Sequence, residues 1–331
     1  MRIAIVTDAW RAQTNGVVQT LRTTAERLCS LGHDVRVIEP NQFRTFPCPT
    51  YPEIRLAWFP YRRLASMLAQ FAPDAVHIAT EGTLGAAART WCVRHGQPFT
   101  TSYHTQFPEY LRARAPIPLT LSYAHLRRFH SAAARTMVAT PAMQRLLESR
   151  NFRNIVRWTR GVDVSLFRPR DKAFLAFSRP IAMYVGRVAV EKNVEAFLSL
   201  DLPGAKVVVG DGPARERLEA RYADVKFVGY KYGEDLAAHV AAADVLVFPS
   251  RTDTFGLVLL EALASGVPVA AYPVTGPIDV VRREVTGVLH DDLRTATLRA
   301  LQLNPADCRA HALEHTWEVA TQQFLSNLAV R

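Results

Sequence analysis

Residues 248–268 read FPSRTDTFGLVLLEALASGVP. They begin at the end of the short apolar run Val245–Phe248, pass through a polar turn, and enter the apolar stretch GLVLLEALA. A β-rich run followed at once by a helical stretch reads as strand, tight turn and helix. The helix then opens beside the strand's carboxyl end. Its free N–H groups near Phe255, Gly256 and Leu257, with the helix dipole behind them, suit a phosphate or other ligand oxygens. Asp253 and Glu261 lie eight residues apart, about two turns if the helix begins early, so both carboxylates can face one elongated ligand. Taken alone, Asp253 also reads as an N-cap and Glu261 as a solvated helix residue.

Outward from this segment the same alternation fills the chain. In the second half, candidate strands Ile181–Val185, Lys206–Val209, Lys226–Val228, Val245–Phe248 and Val267–Ala270 are separated by helices near 191–199, 213–221, 233–242 and 256–264. In the first half, strands Arg2–Thr7, Val35–Ile38, Ile54–Trp58, Ala75–Ile78, Phe99–Ser102 and Met137–Thr140 alternate with helices near 17–31, 61–71, 83–95 and 119–134. Alternating strands and helices predict an α/β chain of two doubly wound, Rossmann-like parallel sheets. The joint falls at 160–180, which carries prolines and charges and lacks either period. The expected domains are 1–165 and 166–315, with a last helix in 316–331 packing back on the first domain.

The 331 residues, 49% hydrophobic and 21% charged, are ordinary for a globular protein and exclude a disordered chain. The apolar run at the N-terminus ends at Asp8, too short for a signal peptide or a membrane span, so the expected location is cytoplasmic. Cys29, Cys48, Cys92 and Cys308 form no CxxC pair, which argues against a zinc site or a disulfide framework. The net charge of +10 is uneven. Residues 1–160 carry 21 arginines against nine acids, a balance of +12, and residues 161–331 stand at −2. A basic first half suits an anionic substrate, an anionic membrane surface or nucleic acid.

Two more turns repeat the chemistry of the first. After IAMYV come Gly186, Arg187, Glu191 and Lys192. Glycine permits close backbone approach, and the two cations can converge on a diphosphate. They can equally pair with Glu191 or Glu195. After the next strand Gly210-Asp211-Gly212-Pro213 makes a second tight turn into a helix.

The ordered set GRVAVEKN, VGDGP, FVGY and PSRTDTFGLVLLEALASGVPV over about residues 181–290 resembles the carboxyl-terminal domain of retaining glycosyltransferases of the GT-B fold, the large group-1 family, family 4. In the first half, Thr14-Asn15-Gly16-Val17 resembles the family's glycine loop, and Ser102-Tyr103-His104-Thr105 its active-site histidine segment. TDTFG, NGVVQTLR and TRGVDVSLFRP are most similar to the branch of sulfoquinovosyldiacylglycerol synthases and bacterial GDP-mannose-dependent α-mannosyltransferases. The resemblance implies Gly16 at the donor phosphate, Arg187 and Lys192 on the pyrophosphate, Glu261 on the ribose, and Asp253, with Thr254 to Leu257, at the transferred sugar. It puts Gly210, Asp211 and Tyr230 at the nucleotide and His104 beside the reacting sugar. Much of the family has glutamate where this chain has Asp253.

A retaining hexosyl transfer from GDP-mannose or a UDP-hexose to a lipid, lipid-linked or glycan acceptor is the expected activity. No carboxylate pair suggests double displacement, which favours front-face attack with Arg187 and Lys192 stabilising the departing diphosphate. The sequence has no Asp-x-Asp, so cations of the protein are expected to replace a metal, with no cofactor beyond the nucleotide-sugar co-substrate. Trp58, Phe59 and Tyr61 beside Arg62 and Arg63, and Arg127 and Arg128 in 119–135, mix apolar and basic character as an interfacial segment does. They point to peripheral contact with an anionic inner leaflet; core aromatics with a solvated arginine face are the alternative. An epimerase or a phosphorylase shares the fold. A nicotinamide dehydrogenase needs GxGxxG after the first strand, where VTDAWRAQTNG stands. A nucleic-acid partner would explain the basic half and none of the neutral half's motifs, and is not expected.

Overall fold

A computed structural model describes residues 1–9, 16–48, 51–114 and 117–331. The chain divides into two compact units, Met1–Thr159 with Trp317–Arg331, and Arg160–Thr316.

The first unit holds strands β1 (Arg2–Val6), β2 (Asp34–Ile38), β3 (Thr45–Cys48), β4 (Tyr51–Ala57), β5 (Ala75–Ile78), β6 (Phe99–Ser102), β7 (Arg135–Val138) and β8 (Ile155–Arg157). Six of them form a parallel sheet in the order β2-β1-β5-β6-β7-β8, and β3 and β4 pair apart from it as an antiparallel hairpin. β5 and β6 are buried at every residue, as expected of central parallel strands with both faces covered. Between β1 and β5 the strand order reverses. Asp8 sits there, buried, and caps the helix Thr83–His95: its carboxylate accepts from Leu84 N–H at 2.9 Å, Gly85 N–H at 3.3 Å and Thr80 Oγ1 at 2.9 Å. Burial pushes its carboxyl above the usual range, against those hydrogen bonds.

The last helix, Trp317–Asn327, belongs to this unit. Its Phe324 is fully buried, with its ring centroid 4.7 Å from that of Trp158 and 4.9 Å from that of His77. Burial of such a ring contributes about 1.5–3 kcal/mol. Polar ties flank it: Thr159 N–H donates to Gln323 Oε1 at 2.7 Å and Asn327 Nδ2 to the Arg157 carbonyl at 2.8 Å.

The second unit holds β9 (Ile181–Val185), β10 (Ala205–Val209), β11 (Lys226–Gly229), β12 (Val245–Phe248), β13 (Val269–Ala271) and β14 (Gly287–Leu289), all parallel, in the order β11-β10-β9-β12-β13-β14. This is the doubly wound order in which the chain runs outward from β9, then returns to its other side at β12. Fully buried Phe197, Val208, Val245 and Val247 lie at the core. The segment after residue 160 packs as irregular chain on this unit. Arg309 fixes it by donating from Nη1 to the Phe167 carbonyl at 2.7 Å and from Nη2 to the Val164 carbonyl at 3.0 Å.

Candidate active site

In an open parallel sheet the carboxyl ends flanking the reversal of strand order form the natural ligand crevice. In the second unit those strands are β9 and β12, paired through Ala182 with Val245 and Met183 with Leu246. The two quoted motifs follow directly from them, so topology brings together residues some sixty positions apart. Lys192 Nζ donates to both carboxylate oxygens of Asp253, at 2.9 and 2.8 Å. Both side chains are largely withdrawn from solvent, which strengthens a charge-assisted pair over a surface one.

Three local features hold that geometry. Asn193 takes the left-handed conformation, φ 52°, immediately after Lys192, and its Nδ2 donates to the Pro249 carbonyl at 3.0 Å. The β9 loop is thereby fastened to the end of β12. Tyr184 Oη donates to the Arg187 carbonyl at 2.7 Å. Beneath them the β10 turn presses on the β9 turn so closely that a Cβ on Gly210, at φ 140°, would stand 1.9 Å from the Gly186 carbonyl oxygen. Gly276, φ 92°, backs the turn after β12 in the same way: a Cβ there would lie 2.9 Å from the Phe255 carbonyl oxygen.

The helix after β12 spans Leu257–Ala264 with Gly256 as its N-cap, at φ 84° and with no side-chain cap hydrogen bond. Asp253 therefore lies in the turn and not on the helix, which corrects the expectation that it shares a helical face with Glu261; it is not the N-cap either. The physical cause is Gly256, whose left-handed backbone breaks the helix before Asp253 can join it. Thr254 and Phe255 complete the turn, Phe255 buried and Thr254 half-buried, and Glu261 is buried in the second helical turn. First-turn N–H groups have no acceptor inside their own helix.

Arg187 stands at the end of β9 with Nη1 3.5 Å from Glu191 Oε1, so one of the two pairings open to it from sequence is realised. Asp211 accepts from Gly212 N–H at 2.7 Å and from Arg215 Nη1 at 2.8 Å. Hydrogen bonding to Asp211, then to Glu219, raises the Arg215 guanidinium further. Tyr230, just past β11, is 40% exposed and stacks on Tyr232 with centroids 6.1 Å apart. Partial burial raises its phenol, with Arg187 opposing.

In the first unit His104 follows β6, is buried, and meets the Trp158 ring edge-on at 5.6 Å. Gly16 is the exposed first residue of the helix Gly16–Ser30; Thr14 and Asn15 lie outside the described residues. Trp58 and Phe59, 56% and 83% exposed, form an edge-to-face series with Phe46, and Arg62 and Arg63 beside them are exposed too. These two aromatics are not core. On the helix Leu119–His130, Tyr123, Leu126 and Phe129 are buried. Arg127 is half-buried, its Nη1 donating to the Arg150 carbonyl at 3.0 Å, and Arg128 is exposed. The motifs alone assign no role to Asn193, Tyr184 or Asp8. For Asn193 a signal existed: asparagine is the commonest non-glycine residue in the left-handed region, and it ends the motif.

The fold and the switch-point constellation define a nucleotide-sugar-type transferase architecture, and comparison with known proteins agrees. The model of the family described as Glycosyltransferase Family 4 matches residues 14–166, and that of Glycosyl transferases group 1 matches residues 179–302. A GDP-mannose-dependent alpha-mannosyltransferase of Mycobacterium tuberculosis is 33% identical over 316 residues, covering 87% of this chain and 83% of that one. The sulfoquinovosyl transferase SQD2 of Arabidopsis thaliana is 33% identical over 261 residues, 74% of this chain and 51% of that one. Among solved structures, sucrose-phosphate synthase of Thermosynechococcus elongatus superposes with a TM-score of 0.77 at 22% identity, over 98% of this chain and 97% of that one, a likeness of fold. The chain belongs to the group-1, family-4 glycosyltransferases of the GT-B fold and is a hexosyltransferase.

Proposed function

We propose that this enzyme transfers a hexosyl group, with retention of configuration, from GDP-mannose or a UDP-hexose to a lipid or lipid-linked acceptor at a membrane surface. The observation that carries the donor half is the Lys192–Asp253 pair at the β9/β12 switch point, beside a helix N-terminus opened by Gly256. A departing diphosphate needs positive charge where its own negative charge grows. The Lys192 ammonium both keeps Asp253 in place and brings positive charge to the end of β9. Asp253, held by Lys192, presents a carboxylate to sugar hydroxyls, and Arg187 adds a second cation from the adjacent strand end. Front-face departure and attack are the mechanism this charge arrangement favours, with no metal required; His104 sits on the acceptor side in this scheme.

The acceptor half is supported by exposed Trp58 and Phe59, in series with half-buried Phe46, beside Arg62 and Arg63. Interfacial aromatics with a basic rim suit a headgroup layer, each cation contributing on the order of 1 kcal/mol near an anionic leaflet. Among the described residues no helix is long and apolar enough to cross a membrane.

The test is a thermal-shift screen against GDP- and UDP-sugars. A true donor at about 100 times its Kd adds about 2.7 kcal/mol to the unit that binds it. Lys192→Met, shown folded by circular dichroism, is expected to lose that shift and to lower turnover by about 10²–10³-fold. Wild-type turnover in that variant would refute the assignment.

A further inference from the structure

An apolar crevice lies within the first unit. The helices Phe107–Arg114 and Leu119–His130 enclose a crevice of about 280 Å³ walled by Phe107, Pro108, Leu111, Ile117, Leu121 and Leu126. Ser122 and His125 complete the wall from the second helix. Leu121 is 65% exposed and Ile117 38%, so large aliphatic side chains line the mouth in contact with water. Water gains little in such a slot, and an apolar occupant gains the burial of those side chains as well as its own.

We propose that this crevice seats the hydrocarbon chain of the acceptor lipid. The inference rests on the lipid-acceptor reading above and extends it by naming where the chain lies. Size selects the occupant. At 280 Å³ the crevice falls just below the range of about 300–1,000 Å³ for small-molecule pockets. An α-helix with side chains is about 10–12 Å across and needs a wider groove. Position selects it again: the wall starts at Phe107, three residues after His104, a chain distance of at most about 11 Å. The turn between them is tight, with Phe107 N–H donating to the Thr105 carbonyl at 2.8 Å. A lipid whose chain enters here presents its headgroup at the end of β6.

Charge fits an anionic amphiphile. Arg112 is exposed on the first helix; on the second, exposed Arg128 shares a helical face with Leu121 and His125 at spacings of four and three. Glu109 is the sole acid in residues 105–130, and Tyr123 Oη donates to its carboxylate at 2.7 Å. The slot is thus apolar inside, and the two helices that form it carry an excess of basic residues.

The experiment uses the full chain and dansyl-labelled undecanoic acid as probe. The wild type is expected to give saturable fluorescence enhancement. Ser122→Phe, which fills the crevice, and Leu121→Gln, which makes its mouth polar at an exposed position, are each expected to bind about tenfold more weakly. The thermal shift with GDP-mannose should stay unchanged in both. Absence of saturable binding in the wild type, or wild-type affinity in both Leu121→Gln and Ser122→Phe, overturns the proposal. A series of acceptors sharing one headgroup and differing in chain length separates the two readings. If lipid acceptors turn over with the same chain-length dependence in Ser122→Phe as in wild type, the crevice assignment fails and the lipid-acceptor reading stands. If only water-soluble glycans turn over while the variants still lose the probe, the lipid-acceptor reading fails and the crevice stands as a chain-binding site.

Discussion

Asn193 offers the sharpest test of how the donor turn is held. It makes two contributions that substitution can separate. Its Nδ2 donates to the Pro249 carbonyl at 3.0 Å, and its backbone sits at φ 52°, ψ 35°. Asn193→Ala removes the hydrogen bond, about 0.5–1.5 kcal/mol, and forces a Cβ-bearing residue with no local side-chain bond into the left-handed region, a further cost of about 1–2 kcal/mol. The sum is about 1.5–3.5 kcal/mol. Asn193→Gly loses the hydrogen bond and keeps the conformation freely, so about 1 kcal/mol is expected. The order is therefore glycine above alanine, the reverse of the preference at a helix interior, where alanine leads by about 0.8–1.0 kcal/mol.

The readouts are the unfolding midpoint in urea, followed by circular dichroism, and nucleotide affinity by calorimetry. Because Lys192 precedes Asn193, energy lost from the turn is lost from the placement of the Lys192 ammonium. If all of it reaches the binding step, alanine weakens a nucleoside diphosphate by about 10- to 400-fold, an upper limit, and glycine by about fivefold. Alanine more stable than glycine, or an unchanged Kd in both, would refute the account of the turn.

Gly210→Ala places a Cβ 1.9 Å from the Gly186 carbonyl oxygen at φ 140°, so a loss of about 2–4 kcal/mol in denaturant unfolding is expected, with donor binding abolished; a near-neutral change would show that the two turns can separate. Burial lowers the pKa of His311, whose Nε2 donates to the Val280 carbonyl at 2.9 Å. The unfolded chain then takes up its proton first, so stability is full above about pH 6.5 and falls as pH drops through the lowered folded value. Thermal midpoints between pH 7.5 and 5.5, both about the histidine range, should show that fall, and His311→Gln should flatten it. Turnover is expected to survive EDTA if Arg187 and Lys192 supply the positive charge as proposed; complete loss rescued by manganese or magnesium would contradict it.

The second unit was readable because its central strands are continuous apolar runs, VLVF and IAMYV, which only a sheet covered on both faces requires. The strands β8 and β14, IVR and GVL, escaped because three residues carry no period. The hairpin partner β3, TFPC, contains a proline and belongs to no parallel sheet. At the site, sequence spacing put Arg187, Lys192 and Asp253 after strands, and only topology made β9 and β12 neighbours. It could not tell that Lys192 pairs with Asp253 while Arg187 stands by Glu191, because side-chain partners across sixty residues depend on register. Nor did eight-residue spacing survive Gly256: a periodic argument presumes a continuous helix, and one left-handed glycine ends it.

The two sheets use the same topological feature to opposite ends. Each has a helix whose N-terminus opens at the reversal of strand order, where positive backbone dipoles gather. In the first unit that terminus is occupied from within: Asp8 accepts from Leu84 and Gly85, and Gly82 is glycine because a Cβ there would lie 2.4 Å from the Asp8 carboxyl carbon. An anionic ligand would compete with a built-in carboxylate. In the second unit the carboxylate nearest the corresponding terminus, Asp253, is drawn onto Lys192, and Gly256 caps the helix without a side chain. The proposed diphosphate site therefore falls at the terminus capped by glycine and not at the one that already holds a carboxylate. That asymmetry supports the proposed diphosphate chemistry of the second unit alongside the resemblance of its motifs.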